Sequence, residues 1–201
     1  EQKVFAEIVP FYKNWKEIAA EKPRAIVLSG GPSSIYEKGA PQLQKEILSL
    51  GVPVLGICYG LCALVKQFGG SVEGASRREY GRAVIAITKK SILFKGLKKK
   101  ETVWMSHGDK VLIPPKGFSV VASSENAEIA AIENPEKKLY GVQFHPEVYH
   151  TVNGQQILKN FLFDICKLTP SWTMKSFIES SVEAIRHEVG DGTVLLGLSG
   201  G

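Results

Sequence analysis

Cysteine is scarce in this chain. There are three, Cys58, Cys62 and Cys166, an odd number with no CxxC pair. That argues against a disulfide framework and a structural zinc site, so no metal is expected and a reducing cytoplasm fits best. No apolar run approaches the roughly 18 residues that span a bilayer, and the start does not read as a secretory signal; no membrane partner is expected. The formal net charge is +5 and the pI is near 9.0, yet the basic residues are scattered. Their one dense run, Lys98-Lys99-Lys100 beside Glu101, reads as a solvated loop. Zinc-finger spacing and basic-aromatic stripes are lacking, which argues against nucleic acid as a partner. Repeats and low-complexity segments are lacking too. What is there is an ordinary globular composition, 44% hydrophobic and 22% charged over 201 residues. That suffices for one sizeable domain or a domain plus a fragment. The first residue is Glu1 rather than Met, which suggests a piece of something longer.

Short apolar runs alternate with helical patterns in the first third. Arg24–Gly30 and Val52–Ile57 read as buried strands, and Ala40–Gly51 and Tyr59–Phe68 read as helices stopped by glycine. Such alternation implies parallel strands covered by helices. From Gly81 the pattern changes. Gly81–Thr88, Glu101–His107, Phe118–Ser124, Ala127–Glu133 and Lys138–His145 read as strands on short turns, so part of the sheet is antiparallel or mixed. Asn153–Leu168 has a helical period that turns Ile157, Leu158, Phe161, Leu162 and Ile165 inward. Pro170 follows, and the stretch Thr169–Trp172 reads as a domain boundary. Beyond it come an amphipathic helix and the run Thr193–Gly201, a buried strand entering glycines, as at the start of a phosphate loop.

Cys58 sits in "VPVLGICYGLC", where an apolar strand meets Gly-x-Cys-x-Gly and then a helix. This is the cysteine counterpart of a nucleophile elbow. The flanking glycines permit a sharp turn, and the helix amino end favours a negative sulfur. The Tyr59 N–H would face an oxyanion formed by attack at Cys58. A cysteine nucleophile needs a base, and the base an orienting group. "FHPE" offers both: residues i and i+2 of extended chain share a face, so Glu147 reaches one nitrogen of His145 while the other faces sulfur. His107, in "MSHGD", looks more like part of a binding turn. A second glycine turn, "LSGGPSS", offers Gly31 N–H as a partner of Tyr59 in the oxyanion hole.

The stretches "LSGGPSSIYE", "GVPVLGICYG", "REYGRA", "VWMSHGDKV", "YGVQFHPEV" and "ILKNFLFDIC" together resemble the class I glutamine amidotransferase family. The tail, "SWTMKSFIE" through "VLLGLSGG", resembles the start of the ATP pyrophosphatase domain of one branch, which aminates xanthosine monophosphate (XMP) to GMP. The resemblance implies an α/β fold, flavodoxin-like, with a mixed, mostly parallel central sheet and flanking helices over residues 1–168. Residues 169–201 would begin a second α/β domain with its first helix and strand. It implies that Cys58, His145 and Glu147 hydrolyse glutamine without a cofactor, that Gly31 and Tyr59 hold the oxyanion, and that Gly108 and Asp109 hold the amino-acid end of glutamine. Ser199, Gly200 and Gly201 would open an ATP phosphate loop. In that branch ATP and magnesium activate XMP, and ammonia from glutamine displaces AMP. A homodimer through the later part of the synthetase half is implied as well.

The family elbow usually carries glutamine where this chain has Cys62. A shorter side chain and a poor donor there would cost about 0.5–1.5 kcal/mol of glutamine binding. A Cys58–Cys62 disulfide under oxidation would disable the site. The family's first strand and helix have no counterpart before Glu1, and their absence is expected to open two unpaired edges within the sheet. As given, the chain would at most hydrolyse glutamine. Two rivals stand beside this reading: a catalytically impaired binding module, because of Cys62, and a free-standing cysteine hydrolase on the same fold, such as a γ-glutamyl hydrolase or a peptidase.

Overall fold

The computed structural model describes residues 2–197, apart from the side chains of 75–78, 174–176 and 180. Ile8–Leu168 form one compact unit; the residues up to Glu7 and those from Thr169 onward form another.

In the first unit the Asn14 side chain opens α1 (Trp15–Ala20) by accepting a hydrogen bond from Lys16 N at 2.9 Å. It satisfies an amide that the helix leaves unpaired. β1 (Ile26–Leu28), α2 (Lys45–Leu48), β2 (Val54–Ile57) and α3 (Tyr59–Gln67) follow. α2 is much shorter than the Ala40–Gly51 pattern. Ile47 is its one buried residue, so little apolar surface supports a longer helix. α3 is different: every residue from Tyr59 to Val65 is buried. It is followed by β3 (Ser71–Ile87), β4 (Lys100–Ile113), β5 (Ser119–Ser123), β6 (Ala131–Asn134), β7 (Leu139–Val142) and α4 (Gly154–Lys159).

The strands form one mixed sheet in the order β1-β2-β7-β6-β5-β3-β4. Its parallel part is confined to β1, β2 and β7. The other pairings are antiparallel, so the balance tilts away from mostly parallel. The reason is local: from β3 onward no helix lies between successive strands, and a parallel crossover needs one. β1 is an end strand among the described residues, so a further strand would add to its free side.

Two faces bury the core. Tyr140, Val142 and Phe144 alternate into a cluster with Leu55, Ile57, Ile85, Met105 and Phe161. Leu61, Cys62 and Val65 of α3 pack on the other face with Val111, Ile129 and Ile132. Each large side chain so buried contributes about 1.5–3 kcal/mol. The Asn153–Leu168 pattern folds as expected inward, with Ile157 and Phe161 fully buried. It is α-helical only to Lys159. Residues Asn160–Ile165 form a π-helical turn, whose first residue aims its buried amide at Leu93 O (2.9 Å) and Lys95 O (2.8 Å).

In the second unit α5 (Met174–Val189) matches the amphipathic helix read from sequence. The strand expected from Thr193 is not formed: residues 193–197 are irregular, and Leu195 is 99% exposed. A strand exists through its ladder partner, and no described strand pairs with this one. Ser199, Gly200 and Gly201 lie outside the described residues.

Candidate active site

The carboxyl ends of β2 and β7 carry the site. Cys58 is the junction between β2 and α3, and its N–H donates to Val142 O of β7 at 2.8 Å. The residue with left-handed backbone is Cys58 itself, at φ 51° and ψ −104°. A non-glycine residue there carries about 1–3 kcal/mol of strain. The flanking glycines serve a purpose other than the one read from sequence. Neither has positive φ; both are needed for close approach. A Cβ on Gly56 would lie 2.6 Å from Gly60 O, and one on Gly60 would lie 2.1 Å from Leu28 O. They let α3 fold down on β2 and β1, with Cys58 between them buried at 4% exposure. At this helix start Cys62 N donates to Cys58 O at 3.2 Å. The N–H groups of Tyr59, Gly60 and Leu61 are left without intrahelical acceptors.

His145 follows β7 and is held from three sides. Its N–H donates to Trp104 O at 3.0 Å, its carbonyl accepts from Thr151 Oγ1 at 2.5 Å, and its Nδ1 bonds Glu147 Oε1 at 2.7 Å. Nε2 is buried with no hydrogen-bond partner among the described residues. The ring and the Cys58 side chain both border Gly30: a Cβ there would meet His145 Cε1 at 2.9 Å and Cys58 Cβ at 3.6 Å. The Cys58 sulfur is turned toward Ser106 O, 3.4 Å away. Cys58, and then Glu147, push the His145 pKa up to about 10 against the effect of burial.

Gly31, on the turn after β1, packs on the Tyr59 ring: a Cβ there would lie 3.8 Å from Tyr59 Cγ. Gly108 and Asp109 are not on a turn. They lie within β4, opposite β3, beside an irregularity in the ladder between Gly74 and Glu79. His107 is likewise a strand residue, buried because β4 alternates inward at Val103, Met105 and His107. Its Nδ1 is 3.1 Å from Asp109 O and its Nε2 3.2 Å from Glu79 Oε2. Burial lowers the His107 pKa, while Glu79 and the Asp109 carbonyl, both acceptors, pull the other way. Cys62 is 1% exposed, within the apolar cluster under α3. Burial, followed by the charges of Cys58 and Asp109, raises its pKa.

The structure thus places Cys58 and His145 beside Gly30, bonds His145 to Glu147, sets Gly31 against Tyr59, and joins Asp109 to Ser34 and Ile35. It adds Gly30, Ser106 and Thr151, which sequence reasoning passed over. Gly30 and Ser106 lie within the stretches "LSGGPSS" and "MSHGD" already singled out, and Thr151 lies six residues past His145. Among the described residues no group of His, Cys, Asp and Glu has the arrangement of a metal site. A cavity of about 510 Å³ lies elsewhere, lined by Gly51, Lys138 and Leu139 at the amino ends of β2 and β7.

The sequence model of the family described as glutamine amidotransferase class-I matches residues 1–165. This chain belongs to the class I glutamine amidotransferase family. It is 52% identical, over all 201 residues, to the glutamine-hydrolysing GMP synthase of Brachyspira hyodysenteriae, and spans 39% of that protein. Among solved structures, a protein from Thermoplasma acidophilum assigned as a GMP synthase subunit superposes with a TM-score of 0.68 at 30% identity. The match covers 88% of this chain and 84% of that one. A glutamine amidotransferase from Thermotoga maritima matches with a TM-score of 0.58 at 26% identity, covering 83% of this amidotransferase chain and 74% of the other. No helix is long and apolar enough to cross a membrane among the described residues.

Proposed function

We propose that this chain is the glutamine-hydrolysing part of a GMP synthase, with residues 1–168 as the amidotransferase domain and 169–201 as the opening of a synthetase domain. The Cys58 thiolate attacks the side-chain amide carbon of glutamine. The N–H groups of Gly31 and Tyr59 hold the oxyanion. His145, oriented by Glu147, gives its proton to the departing ammonia, and the tetrahedral adduct collapses to a glutamyl thioester. Water then adds to the thioester with His145 as base, releasing glutamate and restoring the thiolate. Gly108 and Asp109 border the place of the substrate's amino and carboxyl groups. In the whole protein, a cytoplasmic homodimer in this reading, the ammonia aminates XMP in a reaction that uses ATP and magnesium, with Ser199, Gly200 and Gly201 opening the phosphate loop.

One observation supports the reading best: His145 is bonded to Glu147 at 2.7 Å from its Nδ1, borders Gly30 together with Cys58, and keeps a buried Nε2 without a partner among the described residues. A merely structural histidine has no reason to keep a buried, unpaired nitrogen beside a strained cysteine. The test is glutamate release from glutamine by the chain and by His145→Ala and Glu147→Gln. Release that falls by about 100-fold or more in His145→Ala, and less in Glu147→Gln, fits the assigned roles. Equal release from all three would remove them.

A further inference from the structure

The turn that carries Gly31 has little regular structure of its own. It is tied down by a residue 75 positions away. Asp109 Oδ2 accepts hydrogen bonds from Ser34 Oγ at 2.9 Å and from Ile35 N at 2.7 Å. Ser34 Oγ in turn accepts from Tyr36 N at 3.3 Å. Ile35 is 2% exposed and packs in the cluster that holds Tyr59 and Cys62 of α3. Lys66 of α3 donates to Ile35 O at 3.4 Å. The Asp109 side chain ties this turn to β4, and β4 is also the strand whose Ser106 carbonyl meets the Cys58 sulfur at 3.4 Å.

We propose that Asp109 is a positioning residue of the oxyanion hole: its carboxylate clasps Ser34 and Ile35 and so sets where the Gly31 N–H stands relative to the carbon that Cys58 attacks. This rests on the amidotransferase reading and deepens it. The resemblance assigns Asp109 to the amino-acid end of glutamine. The structure shows its carbonyl already meeting His107 Nδ1 at 3.1 Å, and its carboxylate engaged with the turn. A charged acceptor of two hydrogen bonds is a strong local constraint, and oxyanion donors act through placement in the transition state rather than through ground-state binding. Loss of the clasp should therefore lower kcat more than it raises KM.

The test compares the chain with Asp109→Ala, Asp109→Asn and Ser34→Ala, by glutaminase kinetics and by amide hydrogen exchange over residues 29–36. In Asp109→Ala, kcat is expected to fall on the order of 10- to 100-fold with KM changed less than about 3-fold. Exchange over 29–36 accelerates because the Ile35 N–H loses its acceptor. Asp109→Asn keeps a carbonyl oxygen that still accepts from Ile35 N, so it recovers part of both. Ser34→Ala, losing one of the two bonds, shows a smaller loss. Unchanged exchange over 29–36 in Asp109→Ala would overturn the clasp. A rise in KM with kcat preserved would overturn its catalytic purpose and return Asp109 to substrate binding. If the parent chain releases no glutamate, the amidotransferase reading fails, and the exchange measurement still decides the clasp.

Discussion

Replacing Gly30 by alanine should silence the site while leaving most of the fold in place. The added Cβ would sit 2.9 Å from His145 Cε1, short of an ordinary carbon contact of about 3.5–4.0 Å by roughly 0.6–1.1 Å. The imidazole has little room to yield. Glu147 holds Nδ1 at 2.7 Å, and Trp104 and Thr151 hold the backbone on either side. Overpacking of this kind costs about 1–3 kcal/mol of stability. The larger effect is on chemistry, since moving a catalytic base by about 1 Å costs on the order of 100-fold in kcat. Gly31→Ala is the matched control. Its Cβ would meet Tyr59 Cγ at 3.8 Å, an ordinary contact, and both variants keep their N–H. Glutamate release and urea unfolding should be measured on both. Gly31→Ala is expected to retain at least about tenfold more activity than Gly30→Ala. Equal activity in the two, each folded, would refute the placement of His145 against this turn.

Gly60→Ala should lower the unfolding free energy in urea by about 3 kcal/mol or more, because its Cβ would lie 2.1 Å from Leu28 O and would lift α3 off β1. An NMR titration should find the His145 imidazole ionising near pH 10 in the parent and lower in Cys58→Ala, since Cys58 is the first cause of the rise. The sign for stability follows. A histidine whose folded pKa is raised from 6.5 to about 10 contributes fully below pH 6.5, and the contribution is lost as pH rises through about 10. The parent's unfolding free energy should therefore shrink across that window more than that of His145→Ala. Cys62→Gln should tighten glutamine binding by about 0.5–1.5 kcal/mol, read as a lower KM. It should also lower Tm, because it forces a longer polar side chain into a position that is 1% exposed.

The proposed triad drew notice in the sequence because each member carries local punctuation: glycines around Cys58, and Pro146 between His145 and Glu147. The β2–α3 junction was legible because "VPVLGI" is uniformly apolar where β2 is buried on both faces. The length of β3 was not. Its first half, "SVEGASRREY", has no apolar run, and it is a strand through pairing with β4, a long-range partner that local pattern does not announce. The same holds for Asp109 and Ser34, which meet across 75 residues. The glycines of the elbow were recognised for the wrong property: sequence suggests backbone freedom, whereas the structure uses their lack of a side chain.

The central claim is that Cys58 forms a covalent glutamyl intermediate. It is tested most directly by acid-quenching the chain during reaction with glutamine and reading the mass of the peptide that contains Cys58. The account predicts a glutamyl thioester on Cys58 that disappears as glutamate accumulates, and neither adduct nor glutamate from Cys58→Ala. Glutamate release that persists in Cys58→Ala, or a folded chain that yields neither product nor adduct, would contradict it.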